Sequence, residues 1–242
     1  MRFLGERYLF HVHTFRCKHA EMVSDEEYIK KAISLGATDI WFTDHAPFPA
    51  NQFGGRMQYE DLSEYISALK NLEKQYQGKI KIHIGLEIEY FSGYDGSGYY
   101  KELFSNPDLE ILLLGQHMAE DPEDRSHYTF EWPKEQLLDD EYTALSDAMI
   151  AGMKTGYFKV VAHPDRIFRR QKIWTPEMEA VAASIIDAAL HCGLPLEKNC
   201  SSMRRKHHYW KEFWAIAEEK GVETVIGLDA HTLKRLEYGK QK

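Results

Sequence analysis

The stretch KIKIHIGLEIE, residues 79–89, decides the fold class of this chain. Aliphatic residues recur at every second position from Ile80 to Ile88, and lysine, histidine, glycine and glutamate fill the positions between them. This alternation predicts a β-strand with one apolar and one polar face. A parallel sheet that is covered by helices on both sides would be apolar on both faces. We therefore expect the aliphatic face to pack against helices and the polar face to line the lumen of a barrel.

Six further apolar runs flank this strand, and helical patterns lie between many of them. The predicted strands are 8–11, 39–43, 79–87, 110–115, 159–163, 195–199 and 223–228, and the predicted helices are 25–35, 61–77, 134–156, 176–192 and 207–220. Alternating strands and helices favour a mostly parallel sheet with right-handed crossovers. We predict one α/β domain over residues 1–242, a closed barrel of about seven strands.

Length and composition narrow the class of protein. A chain of 242 residues with 43% hydrophobic and 28% charged residues is typical of a single globular domain. A net charge of −8 argues against a protein that coats nucleic acid. The sequence shows no membrane-length apolar run and no signal-like start. Three cysteines without CxxC spacing argue against a disulfide framework and favour a cytoplasmic protein.

Residues that commonly bind metals cluster at the ends of the predicted strands. His11 and His13 end the first strand, and Asp229 and His231 follow the last. Residues i and i+2 of a strand point the same way, so each pair can face a common point. Further candidates stand at or near the ends of four other strands: His45, Glu87, His117 and His163. Because active sites of α/β barrels lie at the carboxyl ends of the strands, this pattern predicts one metal centre there.

Each of these histidines alone could be an ordinary polar residue, and the hypothesis depends on the whole set. His83 shares the polar face of the 79–89 strand but lies deeper, and we expect a hydrogen-bonded histidine rather than a ligand. Cys17 stands two residues before His19, a spacing that metal ligands can have. A packed thiol is the preferred interpretation of Cys17.

Seven segments together resemble the PHP (polymerase and histidinol phosphatase) superfamily, and more closely its histidinol-phosphate phosphatase branch. In the family's order they are HVHTFRCKHA (11–20), FTDHAPFP (42–49), GLEIEY (85–90), GQHM (115–118), VAHPDRIFR (161–169), LEKNCSSMRR (196–205) and GLDAH (227–231). The combination of HxH with a terminal DxH is a specific signature. The resemblance implies a distorted (β/α)7 TIM-like barrel that holds two or three divalent ions at the C-terminal ends of its strands.

The resemblance also assigns ligands to individual ions. The first ion would take His11, His13, Glu87 and Asp229; the second would share Glu87 and add His117 and His163; the third would take His19, His45 and His231. Imidazole and carboxylate donors together suit zinc, iron or manganese better than calcium or magnesium. Glu87, Asp229 and His231 would be catalytic through these ions.

The reaction implied is hydrolysis of a phosphate monoester by a metal-bridging hydroxide, because two ions can lower the pKa of a shared water. The sequence shows no motif for a serine, cysteine or aspartate nucleophile. The general acid is left open among a metal-bound water, Asp44 and His19. Asp44 and Asp165, which lie beside or near ligands, are candidates for orienting imidazoles.

Arginines near the same strand ends suggest phosphate binding. Arg166 and Arg169 follow the fifth strand and Arg204 follows the sixth, although solvated surface charge is the alternative for each. Glu197 and Asn199 share a strand face and could bind the amine or imidazole of L-histidinol phosphate, the histidine-biosynthetic substrate that the resemblance implies. We expect a small phosphorylated substrate and neither a membrane nor nucleic acid as partner. The sequence indicates no oligomeric state.

Two other functions remain open. One is a PHP phosphoesterase that acts on nucleotides or nucleic-acid ends, for which the basic stretches 166–170 and 204–206 could serve. The other is a metal-stabilised barrel without turnover, which the complete set of expected ligands argues against. The chain departs from the family at Ser202, where glycine is frequent, and at Glu89, where aspartate is frequent. The 119–133 loop is the region least similar to the family. These differences argue against assigning one exact substrate from the resemblance alone.

Overall fold

The computed structural model describes residues 4–5 and 7–240. Seven strands form one sheet in chain order. They are β1 Tyr8–Val12, β2 Asp39–His45, β3 Lys81–Ile88, β4 Ile111–Leu114, β5 Val160–Val161, β6 Leu196–Asn199 and β7 Thr224–Gly227. The helices in these residues are α1 Asp25–Ser34, α2 Leu62–Gln75, α3 Ser92–Gly96, α4 Tyr99–Ser105, α5 Lys134–Asp139, α6 Glu141–Lys154, α7 Pro176–Cys192 and α8 Lys211–Lys220.

The first strand also pairs with the segment that follows the last one. Val12 forms a parallel bridge with Ala230, and the backbone N–H of Leu228 donates to the carbonyl of Phe10 at 2.8 Å. The parallel strands therefore form a nearly closed barrel, and the predicted fold class is confirmed. Closure leaves no free sheet edge between β1 and the end of β7.

Backbone contacts divide the chain into two compact units. The first contains the described parts of Met1–Glu87, Asn106–Leu112 and Ile226–Lys242, and the second contains Ile88–Ser105 and Leu113–Val225. The core of the first unit is built on large buried side chains, among them Phe10, Tyr28, Ile40, Phe42 and Leu69. The core of the second is built on others, among them Leu145, Val160, Ile185, Ile186 and Phe213. The single domain over residues 1–242 stays a prediction.

Local sequence explains where two of the helices begin. The Ser24 hydroxyl accepts from the Glu27 N–H, and the Glu27 carboxylate accepts in return from the Ser24 N–H at 3.0 Å, which forms a capping box. Thr175 caps α7 by accepting from the N–H of Met178, with Pro176 at the first helical position. In α7, Gly193 ends the helix in the left-handed conformation, at φ 66°.

Two helix predictions are wrong in detail, and two helices were not predicted. The predicted helix 134–156 is interrupted at Asp140, whose φ of −115° ends one helix and begins the next. The predicted helix 207–220 begins only at Lys211, because Trp210 is extended. The prediction missed α3 and α4, whose stretch 92–105 contains three glycines and hides the helical period. Among the described residues, no helix is both long and apolar enough to cross a membrane.

Candidate metal centre

His11 and His13 face a common point, but regular strand alternation does not place them there. The β1–β2 register shifts between Leu9 and Val12, and His11 has left-handed backbone at φ 67°. Both rings are fully buried with centroids 4.9 Å apart. Their Nε2 atoms lie 3.3 and 3.4 Å from Oε2 of Glu87. An irregularity in the strand thus brings both imidazoles to one carboxylate.

Two more residues of the first unit complete this group. Asp229, just after β7, has left-handed backbone at φ 49° and places Oδ1 3.5 Å from Nε2 of His13. His45, at the end of β2, places Nδ1 3.2 Å from Oε2 of Glu87. Donors that share one zinc ion at its usual bond lengths lie about 3.3 Å apart. The spacing of these side chains therefore fits a divalent ion.

A second group in the same unit consists of His19, His45 and His231, whose donor atoms lie within 4.8 Å of one another. The Nδ1 of His19 donates to the carbonyl of Cys17 at 2.7 Å, and the Nδ1 of His231 donates to the carbonyl of Asp229 at 3.1 Å. Both Nε2 atoms therefore carry lone pairs, yet they lie only 2.9 Å apart. Two neutral nitrogen donors this close suit one divalent ion that both of them bind.

The charge state of these imidazoles also suits a metal. Burial lowers the pKa of His231 to about 3, with the neighbouring His13 adding to the effect. Burial likewise lowers the pKa of His19. Both rings are neutral at physiological pH and available as ligands. The buried ring nitrogens of His13 have no hydrogen-bond partner. An unsatisfied buried imidazole is costly, and an ion would satisfy it.

The remaining two candidate histidines lie in the second unit. His117 follows β4 and His163 follows β5, with their ring centroids 5.0 Å apart. His163 has left-handed backbone at φ 34°, directly before the Pro164 turn, and its N–H donates to Oε2 of Glu197 at 3.1 Å. The Nδ1 of His117 donates to Oε1 of Glu89 at 3.0 Å. Each of the two residues is held by a buried carboxylate.

Comparison with known proteins identifies the family. Residues 10–201 match the model of the PHP domain family. The chain belongs to this family. A curated PHP relative, the histidinol-phosphatase of Bacillus subtilis, is 24% identical, and the match covers 91% of this chain and 92% of the relative.

Solved structures confirm the PHP barrel. The protein hisK from Listeria monocytogenes has a TM-score of 0.76 and 19% identity, over 94% of this chain and 96% of that chain. The histidinol phosphate phosphatase from Lactococcus lactis, solved with zinc, L-histidinol and phosphate, has a TM-score of 0.71 and 18% identity, over 97% of this chain and 94% of that chain. At these identities the two structures show the fold alone.

Asp44, one of the two aspartates expected to orient imidazoles in this PHP chain, binds a threonine instead. Its Oδ1 accepts from the Thr14 N–H at 2.7 Å and its Oδ2 accepts from the Thr14 hydroxyl at 2.6 Å. The Nδ1 of His13 lies 3.9 Å from Oδ1, beyond hydrogen-bond distance. Burial raises the pKa of Asp44 despite the opposing effect of His13. Asp44 thus fixes the backbone directly after His13.

Asp165 does not orient an imidazole either. Its Oδ2 accepts from the backbone N–H of Trp210 and from the indole of Trp214, both at 2.9 Å. Burial raises the pKa of Asp165 to about 7. Its hydrogen bonds connect the turn after His163 to the start of α8. Glu89, which the sequence analysis noted only as a departure from the family, is the carboxylate that lies within hydrogen-bond distance of His117.

The polar residues predicted to bind substrate form a network in the second unit. Glu197 is fully buried, and its Oε2 also accepts from the Asn199 side-chain amide at 2.9 Å. The Asn199 oxygen accepts from Nη2 of Arg166 at 2.9 Å. The Arg166 guanidinium donates to the Ser202 hydroxyl as well, through Nε at 3.0 Å and Nη2 at 2.9 Å. The structure therefore holds Glu197, Asn199 and Arg166 together.

The other two arginines are placed differently from each other. Arg169 donates through Nη2 to Oε1 of the buried Glu141 at 2.7 Å and to the carbonyl of His117 at 3.2 Å. Arg204 is exposed, and its Nε donates to the carbonyl of Cys200 at 3.1 Å. Arg169 thus neutralises an internal carboxylate, whereas Arg204 extends from a surface turn.

Proposed function

We propose that this protein is a metal-dependent phosphatase that hydrolyses L-histidinol phosphate to L-histidinol and phosphate. The predicted enzyme class, a hydrolase of phosphoric monoesters, is confirmed by the curated histidinol-phosphatase relative of this PHP chain. The observation that carries the proposal is the pair of neutral imidazoles, His19 and His231, whose Nε2 lone pairs face each other 2.9 Å apart. Such a pair suits a divalent ion, and phosphate esters are substrates that metal ions activate.

The proposed ligand sets follow the donor groups of the two units and the family resemblance. His11, His13, Glu87 and Asp229 would hold one ion, and His19, His45 and His231 would hold another. The family resemblance implies a further ion at His117 and His163, with Glu87 as a shared ligand. Zinc, iron and manganese all suit these donors. Divalent ions at such a site activate water for attack and neutralise phosphate oxygens. Glu87, Asp229 and His231 would act in catalysis through them.

Three arginines and two polar residues are proposed to bind the substrate. Arg166, oriented by Asn199 and Ser202, would present its guanidinium to phosphate oxygens. Arg204 and Arg169 would add positive charge, and Arg204 has the more accessible side chain. Glu197 and Asn199 supply the carboxylate and amide groups that an amine or an imidazole N–H would bind.

The leaving alkoxide must receive a proton. The buried carboxyl of Asp44 is one candidate donor, because its raised pKa favours the protonated form more than an exposed aspartate would. A metal-bound water is a second candidate. His19, the third candidate from the sequence, suits this role less well, because its Nε2 is a proposed metal ligand and burial lowers its pKa.

A substrate panel tests the proposal. The protein loaded with zinc, manganese or iron is assayed for phosphate release from L-histidinol phosphate, sugar phosphates and nucleotides. We expect the highest kcat/KM with L-histidinol phosphate. Faster turnover of nucleotides would instead identify the protein as a phosphoesterase that acts on nucleotides or nucleic-acid ends. Metal binding without turnover of any ester would leave a metal-stabilised barrel.

A further inference from the structure

Glu89 is a buried carboxylate next to the proposed ligands that has no assigned role. It lies two residues beyond Glu87, just after the end of β3, and is 1% exposed. Its Oε1 lies 3.0 Å from Nδ1 of His117. An ionised carboxylate can only accept a hydrogen bond, so the proton of a neutral His117 must reside on Nδ1. The Nε2 of His117 then keeps its lone pair.

We propose that Glu89 is a positioning residue that fixes the tautomer and ring orientation of His117, so that Nε2 is presented to a divalent ion. This inference rests on the proposed function, because it takes His117 as a metal ligand. The carboxylate also makes the imidazole a stronger donor, since the negative charge on Oε1 favours electron density on the ring.

The backbone on both sides of this contact is fixed independently. The Tyr100 hydroxyl donates to the carbonyl of Glu89 at 2.9 Å. Arg169 donates to the carbonyl of His117. The Gln116 amide accepts from the Tyr90 N–H at 3.0 Å and donates to the Tyr90 carbonyl at 3.1 Å, which joins the two segments. With both main chains held, the Glu89 side chain determines how the His117 ring is turned.

Two other proposed ligands, His19 and His231, reach the same tautomer by a different means. His19 and His231 donate from Nδ1 to backbone carbonyls, which no substitution at another residue can remove directly. His117 depends on an ionised side chain, and hydrogen bonds to charged groups are about twice as strong as neutral ones. A single side-chain change can therefore remove the contact that orients His117.

The chain contains a matched control. His83 also donates from Nδ1 to a glutamate, Oε2 of Glu110, at 2.8 Å, and His83 is outside the proposed ligand sets. The variants Glu89→Ala, Glu89→Gln, Glu110→Ala and His117→Ala are stripped with a chelator and titrated with zinc against a competing indicator. The number of bound ions and the affinity of each are the readouts.

We expect Glu89→Ala to lower the affinity for one zinc ion by about 10- to 100-fold. This is the usual effect of losing a carboxylate that is hydrogen-bonded to a ligating histidine. Glu89→Gln should recover part of this loss, because its amide oxygen can still accept from Nδ1. Glu110→Ala should leave all zinc affinities unchanged. In the metal-free wild type, ¹⁵N-resolved NMR of the imidazoles should show His117 protonated on Nδ1, a measurement that needs no variant to fold.

The outcomes separate this inference from the proposed function. If His117→Ala loses an ion but Glu89→Ala binds zinc as tightly as the wild type, Glu89 has no positioning role and the proposed function stands. If His117→Ala loses no ion, His117 is not a ligand, and this inference fails together with the ligand set that contains His117. The proposed function is then decided separately, by phosphate release from L-histidinol phosphate. A His117 ring protonated on Nε2 in the wild type would overturn the inference by itself.

Discussion

The two ends of strand β3 hold histidine clusters of opposite character. At the start, His83 has both ring nitrogens bound, Nδ1 to Glu110 at 2.8 Å and Nε2 to Asp39 at 3.1 Å, and its ring stacks on Trp41 at 3.9 Å. At the end, beside Glu87, the ring nitrogens of His13 have no hydrogen bond. Both clusters lie in the first unit and combine imidazoles with carboxylates.

The pKa values of the histidines also differ between the two clusters. His83 represents the first cluster, and His231, whose ring stacks on that of His13, represents the second. Burial lowers the pKa of His83, but its hydrogen bonds to Glu110 and Asp39 outweigh burial, and the net pKa is raised. Burial dominates at His231 and lowers its pKa to about 3. A histidine whose ring nitrogens are hydrogen-bonded to carboxylates, such as His83, is stabilised in its protonated form. A histidine that is kept neutral beside unsatisfied donors is suited to a metal ion.

The largest expected effect is at the end of β3. Glu87→Ala removes the carboxylate that three histidines approach, so we expect phosphatase activity to fall to background and the bound-metal content to fall with it. Activity assays and elemental analysis of the same sample provide the measurement, with Glu110→Ala as the control at the other end of the strand. Full activity of Glu87→Ala would show that Glu87 is not a shared metal ligand. The two ends of β3 would then not differ in function as proposed.

Removal of metal should destabilise the protein by leaving the histidines beside Glu87 without a partner. It should not affect the cluster around His83. A ligand at 100 times its dissociation constant stabilises a folded protein by about 2.7 kcal/mol. We therefore expect chelation to lower the Tm of the wild type, and to lower the Tm of His83→Gln by the same amount. Scanning calorimetry with and without chelator measures both shifts. A smaller shift in His83→Gln would mean that the two clusters are coupled.

The arginines show a similar contrast between a side chain that is paired with a buried carboxylate and one that is exposed. Arg204 is exposed, whereas Arg170 donates from Nε to the buried Glu141 at 2.6 Å. We expect Arg204→Ala to raise KM about tenfold with little change in kcat, as the loss of one hydrogen bond to a charged group would do. Steady-state kinetics with Arg170→Ala as the comparison measures the effect. An unchanged KM would return Arg204 to ordinary surface charge.

The smallest effect should be a pH-dependent loss of stability at His83. A pKa raised on folding stabilises the protein below the unfolded value of about 6.5, and this contribution disappears as pH rises through the folded pKa. We expect His83→Gln to cost about 1 kcal/mol at pH 5.5 and less at pH 9. Urea unfolding of the metal-free proteins at both values tests this. An equal loss at both would show that packing on Trp41, not charge, is what His83 contributes.

The regular features of the molecule could be predicted from the sequence. The alternation in residues 79–89 predicted the barrel only together with the alternating strands and helices, because a parallel sheet that is covered by helices and has one polar face can enclose that face in a lumen. The predicted helices 25–35 and 176–192 begin where the structure begins them, after the capping residues Ser24 and Thr175. The ends of the strands predicted where the histidines and carboxylates would gather.

The features that were missed depend on contacts or on irregular backbone. The bond from His117 to Glu89 joins residues 28 positions apart, and no spacing pattern marks such a pair. The left-handed conformation of His11 breaks the alternation on which the prediction for His11 and His13 relied. The tryptophan partners of Asp165 come from a segment 45 or more positions away. Conformation and partners of this kind are set by tertiary packing, which overrides local preference.

The pairing of the first strand with the segment after the last has a kinetic consequence. His19 and His231 lie 212 positions apart in the chain, so their donor atoms meet only after the two ends of the sheet have joined. Contacts of such long range form slowly, because the entropy of closing the intervening chain must be overcome first. High-affinity capture of an ion by these two residues therefore belongs to the final stage of folding. During refolding, the rate of zinc uptake there should follow ring closure and not the earlier collapse of the chain.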